Sequence, residues 1–115
     1  MTIINKHKII KVNGRVENIN CEIFLDTCAS INVITRSALR RLNINKPPIG
    51  KMSETIFQAY SNYSIDSEIY DLEISIGNKT FNDYFRVINK DDIFDILIGV
   101  DSLKKNRFDI NLNLQ

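Results

Sequence analysis

The stretch Phe24-Leu25-Asp26-Thr27-Cys28-Ala29-Ser30 places an acidic residue directly after a short apolar run, and small side chains follow it. A carboxylate at the end of a buried strand costs free energy unless something compensates its charge. One explanation is a turn in which the Asp26 side chain caps the backbone N–H of Thr27 or Cys28. The other explanation is that Asp26 is a reactive group in a functional site.

The residues before this stretch predict a β-hairpin. Lys8 to Val12 alternate weakly between apolar and polar, and Asn13-Gly14 follows. This dipeptide is a strong turn signal, because both central positions of a type I′ turn take positive φ. The return strand is predicted from Arg15 to Leu25. Its last three residues are all apolar, which indicates burial on both faces.

The residues after it predict a short strand and then a short helix. Ile31, Val33 and Ile34 form a short β-branched run, and Arg36 to Leu42 are good helix formers with Thr35 as the N-cap. The predicted buried face of this helix consists of Ala38, Leu39 and Leu42. Pro47-Pro48 prevents the helix from continuing.

The second half of the chain predicts another hairpin, a buried strand and a second helix. The hairpin turn is predicted at Gly77-Asn78. Ile96 to Ile98 form a short apolar strand that stops at Gly99. Asp101 is predicted to cap a helix from Ser102 to Asn106.

The tail predicts a half-buried terminal strand, because apolar and polar residues alternate there. Its apolar positions are Phe108, Ile110, Leu112 and Leu114. Strands with hairpin signals at short intervals and only two short helices indicate an all-β closed barrel or sandwich. The sequence shows no repeat and no linker, so we expect one domain over residues 1–115.

The composition excludes several classes of protein. The 115 residues are 43% hydrophobic and 25% charged, as in an ordinary globular domain. The 15 basic and 14 acidic residues give a net charge of +1, so neither nucleic acid nor a membrane is an expected partner. No apolar run reaches the roughly 18 residues of a membrane span. The N-terminus lacks a secretory signal, so a cytoplasmic localisation is expected.

The cysteines are predicted to remain reduced and to bind no metal. Cys21 and Cys28 flank a predicted strand, and seven extended residues span about 23 Å. A disulfide tolerates a Cα separation of only about 7 Å. One His and two distant Cys cannot supply the ligands of a zinc site. A thiol close to the Asp26 carboxylate should also have a raised pKa.

The stretch Asp26-Thr27-Cys28-Ala29-Ser30 resembles the D-T-G-A-S active-site loop of retropepsin-like aspartic proteases, with Cys in place of Gly. A second stretch, from Asp95 to Leu103, resembles the apolar-apolar-Gly segment of that family and the short helix after it. The continuation from Lys104 to Ile110 is similar to proteases of gypsy-type retrotransposon polyproteins. The resemblance covers nearly the whole chain in order.

This resemblance implies a retropepsin-like β-barrel or sandwich, one lobe per subunit, and a homodimer. The Asp26 residues of the two subunits would share a proton across a twofold axis. The ionised one would act as general base on a water, and the protonated one would polarise the substrate carbonyl. No metal or organic cofactor is implied. The implied substrate is an extended peptide segment, as in polyprotein processing, in the cytoplasm or in virus-like particles.

The resemblance also implies roles for individual residues. Asp26 is catalytic, and Thr27 braces the paired loops by hydrogen bonds across the axis. Ile96 to Ile98 pack under the catalytic loop, and Gly99 lets backbone pass closely, although an ordinary core strand followed by a turn glycine would look the same. The residues implied to lie beside substrate are Cys28, Ala29 and Ser30 in the loop, and Tyr60, Ser61 and Asn62 at the tip of a flap. The flap is expected at Gln58 to Ser64, although Tyr60 and Tyr63 are equally consistent with ordinary strand aromatics.

Two other interpretations remain open at this point. The first is an inactive dimerisation or peptide-binding module on the same fold, because the side chain of Cys28 could crowd a site that holds Gly in the family. The second is the related protease domain of ubiquitin-shuttle proteins.

Overall fold

The structure, a computed structural model, describes residues 2–4, 9–57, 62–89 and 94–111. Its strands are β1 (Thr2–Ile4), β2 (Ile9–Val16), β3 (Ile19–Asp26), β4 (Val33–Thr35), β5 (Gly50–Phe57), β6 (Asn62–Ile76), β7 (Lys79–Ile88), β8 (Ile96–Gly99) and β9 (Asp109–Asn111). Its helices are α1 (Arg36–Arg41) and α2 (Val100–Lys105). The chain is therefore mostly β, as the sequence predicts.

Six strands close into a barrel. The large sheet has the order β2-β3-β8-β4-β7-β6-β5. Strand β2 also pairs with β6, through Arg15 with Ser75 and Val16 with Ile74, so the first six strands of that order form a ring. Strand β5 extends the sheet beyond the ring as a long hairpin with β6. This arrangement confirms the predicted closed all-β fold.

The barrel interior holds the alternating apolar residues of its strands. The largest fully buried side chains are Phe85, Phe94, Ile23, Leu25, Ile34, Leu72, Ile74, Ile96, Leu97 and Ile98. The run Ile96 to Ile98 is buried on both faces, because Ile96 and Ile98 pack into the main core and Leu97 packs on the opposite face. A separate small cluster, formed by Ala29, Val33, Ile88, Phe94 and Leu97, packs under the loop that follows β3. The predicted buried strand is thus confirmed.

The first hairpin turns at a different place from the one predicted. Strand β2 runs straight through Asn13-Gly14, and the turn is Glu17-Asn18, whose φ angles are 51° and 66°. Gly14 is required by barrel closure, since a Cβ there would lie 2.6 Å from the Ser75 carbonyl oxygen. The predicted turn, and with it a return strand beginning at Arg15, is therefore wrong. The turn predicted at Gly77-Asn78 is confirmed, with Gly77 at φ 60°.

The predicted N-cap of helix α1 is confirmed, and the predicted N-cap of helix α2 is wrong. The Thr35 hydroxyl accepts a hydrogen bond from the Ala38 N–H at 3.1 Å, which caps α1 as expected. Helix α2 begins at Val100, with Gly99 as N-cap and no side-chain cap. Asp101 is therefore not the cap. It lies in the first turn, because β8 passes directly into the helix at Gly99.

The predicted terminal strand is confirmed in part. Strand β9 pairs in parallel with β1, which joins the two ends of the chain in a small second sheet. Phe108, just before β9, is buried. Leu112 and Leu114 lie outside the described residues.

Asp83 holds helix α2 against strand β7. Its carboxylate accepts hydrogen bonds from the Tyr84 N–H at 2.8 Å and from the Ser102 hydroxyl, and it pairs with Lys105 at 3.1 Å. Burial alone would raise the pKa of Asp83, but these three partners together hold that pKa below its ordinary value. The ionised carboxylate therefore stabilises the native state.

Replacing Asp83 with Asn should lower the free energy of unfolding at pH 7 by about 1–3 kcal/mol, since the buried Ser102 hydroxyl and the Lys105 ammonium lose a charged partner. The native state gains from the ionised Asp83 above the ordinary pKa of 3.8, and this gain is lost as pH falls through the folded-state pKa. Denaturant unfolding at fixed protein concentration should therefore show a difference from wild type that shrinks in acid. The exposed control Glu22→Gln should change stability by less than about 0.5 kcal/mol at pH 7.

Candidate active site

The loop formed by residues 27–32 connects β3 to β4, and both strands pair with β8. Strand β3 is parallel to β8, with Asp26 opposite Gly99. Strand β4 is antiparallel to β8, with Val33 opposite Leu97. The loop therefore crosses over the end of β8, and it begins at Asp26.

The Asp26 carboxyl group is fully buried, and one of its two oxygens lacks a hydrogen-bond partner in the described part of the chain. Its residue exposure is 0%, and Oδ1 accepts a hydrogen bond from the Cys28 N–H at 2.8 Å. This bond confirms the predicted cap of a turn. The other oxygen, Oδ2, has no hydrogen-bond partner among the residues that the structure describes. A buried polar atom without a partner costs about 1–3 kcal/mol, so the cap alone does not explain this residue.

Burial raises the pKa of Asp26 above its ordinary value. The backbone N–H groups of Cys28 and Ala29 favour the ionised form, but they do not outweigh the loss of solvent. The group therefore holds its proton to a higher pH than an exposed carboxyl does. Such a shift, in a carboxyl group with an unmatched oxygen, is typical of a functional site.

Gly99 lets the loop lie directly on β8. A Cβ at Gly99 would be 2.7 Å from the Ala29 carbonyl oxygen and 2.7 Å from that of Ile31. The next N–H, of Val100, donates to the Ala29 carbonyl at 2.8 Å. The predicted close passage of backbone at Gly99 is thus confirmed.

Asn32 is a site residue that the sequence analysis missed. Its Oδ1 accepts from the Gly99 N–H at 2.8 Å, and its Nδ2 donates to the Tyr84 carbonyl at 3.2 Å. Its own carbonyl accepts from the Arg86 N–H at 3.0 Å. A polar residue inside the apolar run Ile31 to Ile34 is the signal that could have identified it.

Cys28 fits the loop without backbone strain. The described residues other than glycine with positive φ are Glu17, Asn18, Asn43 and Arg107, so Cys28 is not in the left-handed region. Burial raises the pKa of the Cys28 thiol, and the charge of Asp26 raises it further. This direction confirms the prediction and keeps the sulfur protonated at neutral pH. Neither Cys28 nor Cys21 forms a disulfide.

The other predicted loop residues lie at different depths. Thr27 is half-buried, Ala29 is buried in the small cluster, and Ser30 is exposed. Ser30 lies at the rim of a surface cleft of about 220 Å³. Asp83, Tyr84 and Ser102 line the same cleft. The loop therefore presents both buried and accessible groups beside Asp26.

The predicted flap coincides with the end of the hairpin formed by β5 and β6. Asn62, the first residue of β6, pairs with Phe57, the last residue of β5. Tyr60 and Ser61 lie outside the described residues. The flap residues predicted from the sequence thus fall at the end of this hairpin, and their role as a flap stays a prediction.

The described part of the chain contains no group of three or more His, Cys, Asp or Glu side chains that could hold a metal ion. Neither of its helices is long and apolar enough to cross a membrane.

Three solved structures share the fold at low sequence identity. The retroviral protease-like domain of Ddi1 from Leishmania major matches with a TM-score of 0.64 and 18% identity, over 87% of this chain and 78% of that one. EIAV protease, complexed with the inhibitor HBY-793, matches with a TM-score of 0.62 and 17% identity, over 85% and 88%. The foamy viral protease-reverse transcriptase in complex with an RNA/DNA hybrid matches with a TM-score of 0.57 and 17% identity, over 86% of this chain and 12% of that one. The fold is therefore retropepsin-like.

Sequence comparison gives the family. A family profile described as "gag-polyprotein putative aspartyl protease" matches residues 12–105, which is most of the chain. No curated protein matches the chain. The chain therefore belongs to the gag-polyprotein aspartyl protease family, and its fold is that of the retropepsin-like aspartic proteases.

Proposed function

We propose that this chain, as a single domain over residues 1–115, is the subunit of a homodimeric aspartic endopeptidase that hydrolyses peptide bonds in extended segments. One observation carries the proposal. The Asp26 carboxyl group is buried and held by backbone N–H groups, yet its Oδ2 has no partner among the described residues. That oxygen has hydrogen-bonding capacity that the described part of the single chain does not use, and a water and a second carboxyl group would satisfy it. Membership of an aspartic protease family supports this chemistry.

The mechanism needs two carboxyl groups, and each chain supplies one. Two copies of Asp26 that meet across a twofold axis share a proton, because both cannot ionise easily at a separation of about 3 Å. The ionised Asp26 takes a proton from the water while the water oxygen bonds to the substrate carbonyl carbon. The protonated Asp26 donates to the carbonyl oxygen. As this intermediate collapses, the C–N bond breaks and the amine leaves with a proton from the pair, while one hydroxyl of the intermediate returns a proton to the pair and becomes the carbonyl oxygen of the acid product.

The single chain already favours this proton sharing. Burial raises the pKa of Asp26 before any partner carboxylate is present. The approach of a second negative charge raises the pKa of one member further. The pair then titrates with two apparent pKa values that belong to the pair as a whole.

The remaining loop residues have supporting roles in this proposal. Thr27 braces the two loops across the axis, and Ala29 and Ser30 border the substrate backbone. Cys28 serves as a small protonated spacer, which agrees with its unstrained backbone and raised thiol pKa. Tyr60, Ser61 and Asn62 form the tip of the flap. The proposed role in the cell is polyprotein processing, in the cytoplasm or in virus-like particles.

The second candidate function is a peptide-binding or dimerisation module without activity. Cys28 favours it, since its side chain occupies a position where the family's loop has none. The two candidates differ in whether bound peptide is cut.

Incubation with a library of extended peptides tests the proposal. Cleavage is expected, and an inhibitor that mimics the tetrahedral intermediate of aspartic proteases should suppress it. A chelator should leave the rate unchanged, because the proposed mechanism uses no metal. Peptide binding without any cleavage would support the module instead.

Sedimentation tests the dimer separately. We expect a species of twice the 13.3 kDa chain mass at tens of micromolar protein, because one chain holds only half of the proposed site. Activity per chain should fall on dilution below the dissociation constant of the dimer. A monomer with undiminished activity would contradict both the dimer and the shared carboxyl pair.

A further inference from the structure

Asn32 is a buried polar residue to which the proposed function assigns no role. It is only 6% exposed, and it lies at the far end of the loop that begins at Asp26. Both polar ends of its side chain bond to backbone, namely to Gly99 N–H and to the Tyr84 carbonyl. Buried amide side chains with both ends satisfied make a network that permits one arrangement.

The Asn32 side chain supplies a hydrogen-bond acceptor at the point where the backbone pairing of β4 with β8 ends. Strand β4 pairs with β8 through Val33 with Leu97 and Ile34 with Ile96, and it goes no further. Gly99 lies beyond that ladder, so its N–H on this side has no strand acceptor. The Asn32 Oδ1 supplies the acceptor at 2.8 Å. The end of β8 is thereby held to the loop.

The end of β8 also lies directly beside Asp26 in the sheet. Gly99 pairs with Asp26 in the register of β3 and β8. The Ala29 carbonyl lies against Gly99 and accepts from Val100 N–H at 2.8 Å. The N–H groups of Ala29 and Cys28 in turn favour the ionised form of the Asp26 carboxyl. Asn32 is therefore linked to Asp26 through Gly99, which donates a hydrogen bond to the Asn32 side chain and pairs with Asp26 in the sheet.

We infer that Asn32 is a positioning residue for Asp26. Its side chain links Gly99 to strand β7 by hydrogen bonds, and this link fixes the position and orientation of the loop whose N–H groups bind the Asp26 carboxylate. This inference rests on the proposed function and adds a residue to it. The two side-chain hydrogen bonds of Asn32 go to Gly99 and Tyr84 and not to Asp26 itself. Asn32 acts on the geometry in which Asp26 meets its counterpart.

The chemistry of the amide explains why Asn is suited to this position. The site requires an acceptor for Gly99 N–H and a donor for the Tyr84 carbonyl, at opposite ends of one planar group. Ala supplies neither. Asp keeps the acceptor for the Gly99 N–H, but its second oxygen faces the Tyr84 carbonyl. That oxygen can donate a hydrogen bond to the carbonyl only when it is protonated. The two substitutions therefore separate loss of the amide from loss of its donor.

Kinetics of Asn32→Ala and Asn32→Asp test the inference, with Thr35→Ala as the matched control. Thr35 is also a buried polar residue near the loop, but its hydroxyl caps α1. We expect Asn32→Ala to lower kcat by about 10- to 100-fold, the effect of a small displacement of a catalytic group, with KM changed by less than about threefold. Asn32→Asp should recover kcat relative to wild type as pH falls, because the protonated acid can donate to the Tyr84 carbonyl. Thr35→Ala should keep at least about half of the wild-type kcat at temperatures where it is folded.

A second readout does not depend on activity. The carboxyl carbon of Asp26, followed by NMR in labelled protein, should titrate with a shifted midpoint in Asn32→Ala and with the wild-type midpoint in Thr35→Ala. If neither kcat nor this midpoint differs between Asn32→Ala and Thr35→Ala, Asn32 is only a structural residue and the inference is wrong. If Asp26→Asn retains activity, the proposed function fails instead, and the NMR titration still decides whether Asn32 positions the Asp26 carboxyl.

Discussion

Replacement of Asp26 by Asn is expected to lower kcat/KM by about 10²- to 10⁴-fold, the usual contribution of a positioned general acid or base. Asn keeps the shape of the side chain and can still accept the Cys28 N–H, so the loop should be preserved. It cannot take a proton from water. Steady-state kinetics on a cleaved peptide measure the effect, and sedimentation should show an intact dimer.

The same substitution should stabilise the fold at neutral pH. Burial raises the pKa of Asp26, so the native state prefers the protonated carboxyl. This preference contributes fully below the ordinary pKa of 3.8 and is lost as pH rises through the folded-state pKa. Asn is neutral throughout, so the Tm of Asp26→Asn should exceed that of wild type by more at pH 7 than at pH 4.

The control is Asp101→Asn, which neutralises an exposed carboxylate in the first turn of α2. It should retain most of the wild-type kcat/KM. Wild-type turnover in Asp26→Asn would show that the catalytic acid has been assigned to the wrong residue.

Gly99→Ala is expected to impair both folding and activity strongly. The added Cβ would lie 2.7 Å from two backbone carbonyl oxygens, and backbone cannot move aside as a flexible side chain can. Gly99 has φ −85°, an ordinary value for any residue, so the effect is steric alone. We expect the free energy of unfolding to fall by about 3 kcal/mol, at the upper end for overpacking.

Gly50→Ala provides the matched control. Gly50 lies in β5, and a Cβ there meets nothing within 4 Å. Its stability should stay within about 0.5 kcal/mol of wild type in denaturant unfolding. Equal stability of Gly99→Ala and Gly50→Ala would mean that the loop does not rest on β8 as described.

Local patterns in the sequence predict those parts of the fold that local physics determines. Thr35 caps its helix because the hydroxyl bonds to an N–H three residues ahead. Gly77 turns the second hairpin because positive φ suits glycine. Asp26 caps a turn for the same local reason, and its burial follows from the apolar run before it.

Long-range contacts explain what the sequence could not show. Gly14 has the appearance of a turn residue, but it is there because Ser75 from another strand passes 2.6 Å from its Cβ position. Asn32 was missed because its side-chain partners, Gly99 and Tyr84, are 67 and 52 residues away in the chain. The unmatched Oδ2 of Asp26 likewise becomes visible only when the barrel is closed.

Subunit mixing tests the shared Asp26 pair most directly. Wild-type chains are refolded together with an about tenfold excess of Asp26→Asn chains, and peptidase activity is measured per wild-type chain. Random pairing leaves roughly a tenth of the wild-type chains with a wild-type partner, so activity should fall to about that fraction. The same excess of Asp101→Asn should cause no such loss. Activity that is unaffected by the Asp26→Asn excess would show that each chain works alone, which contradicts a catalytic site built from two copies of Asp26.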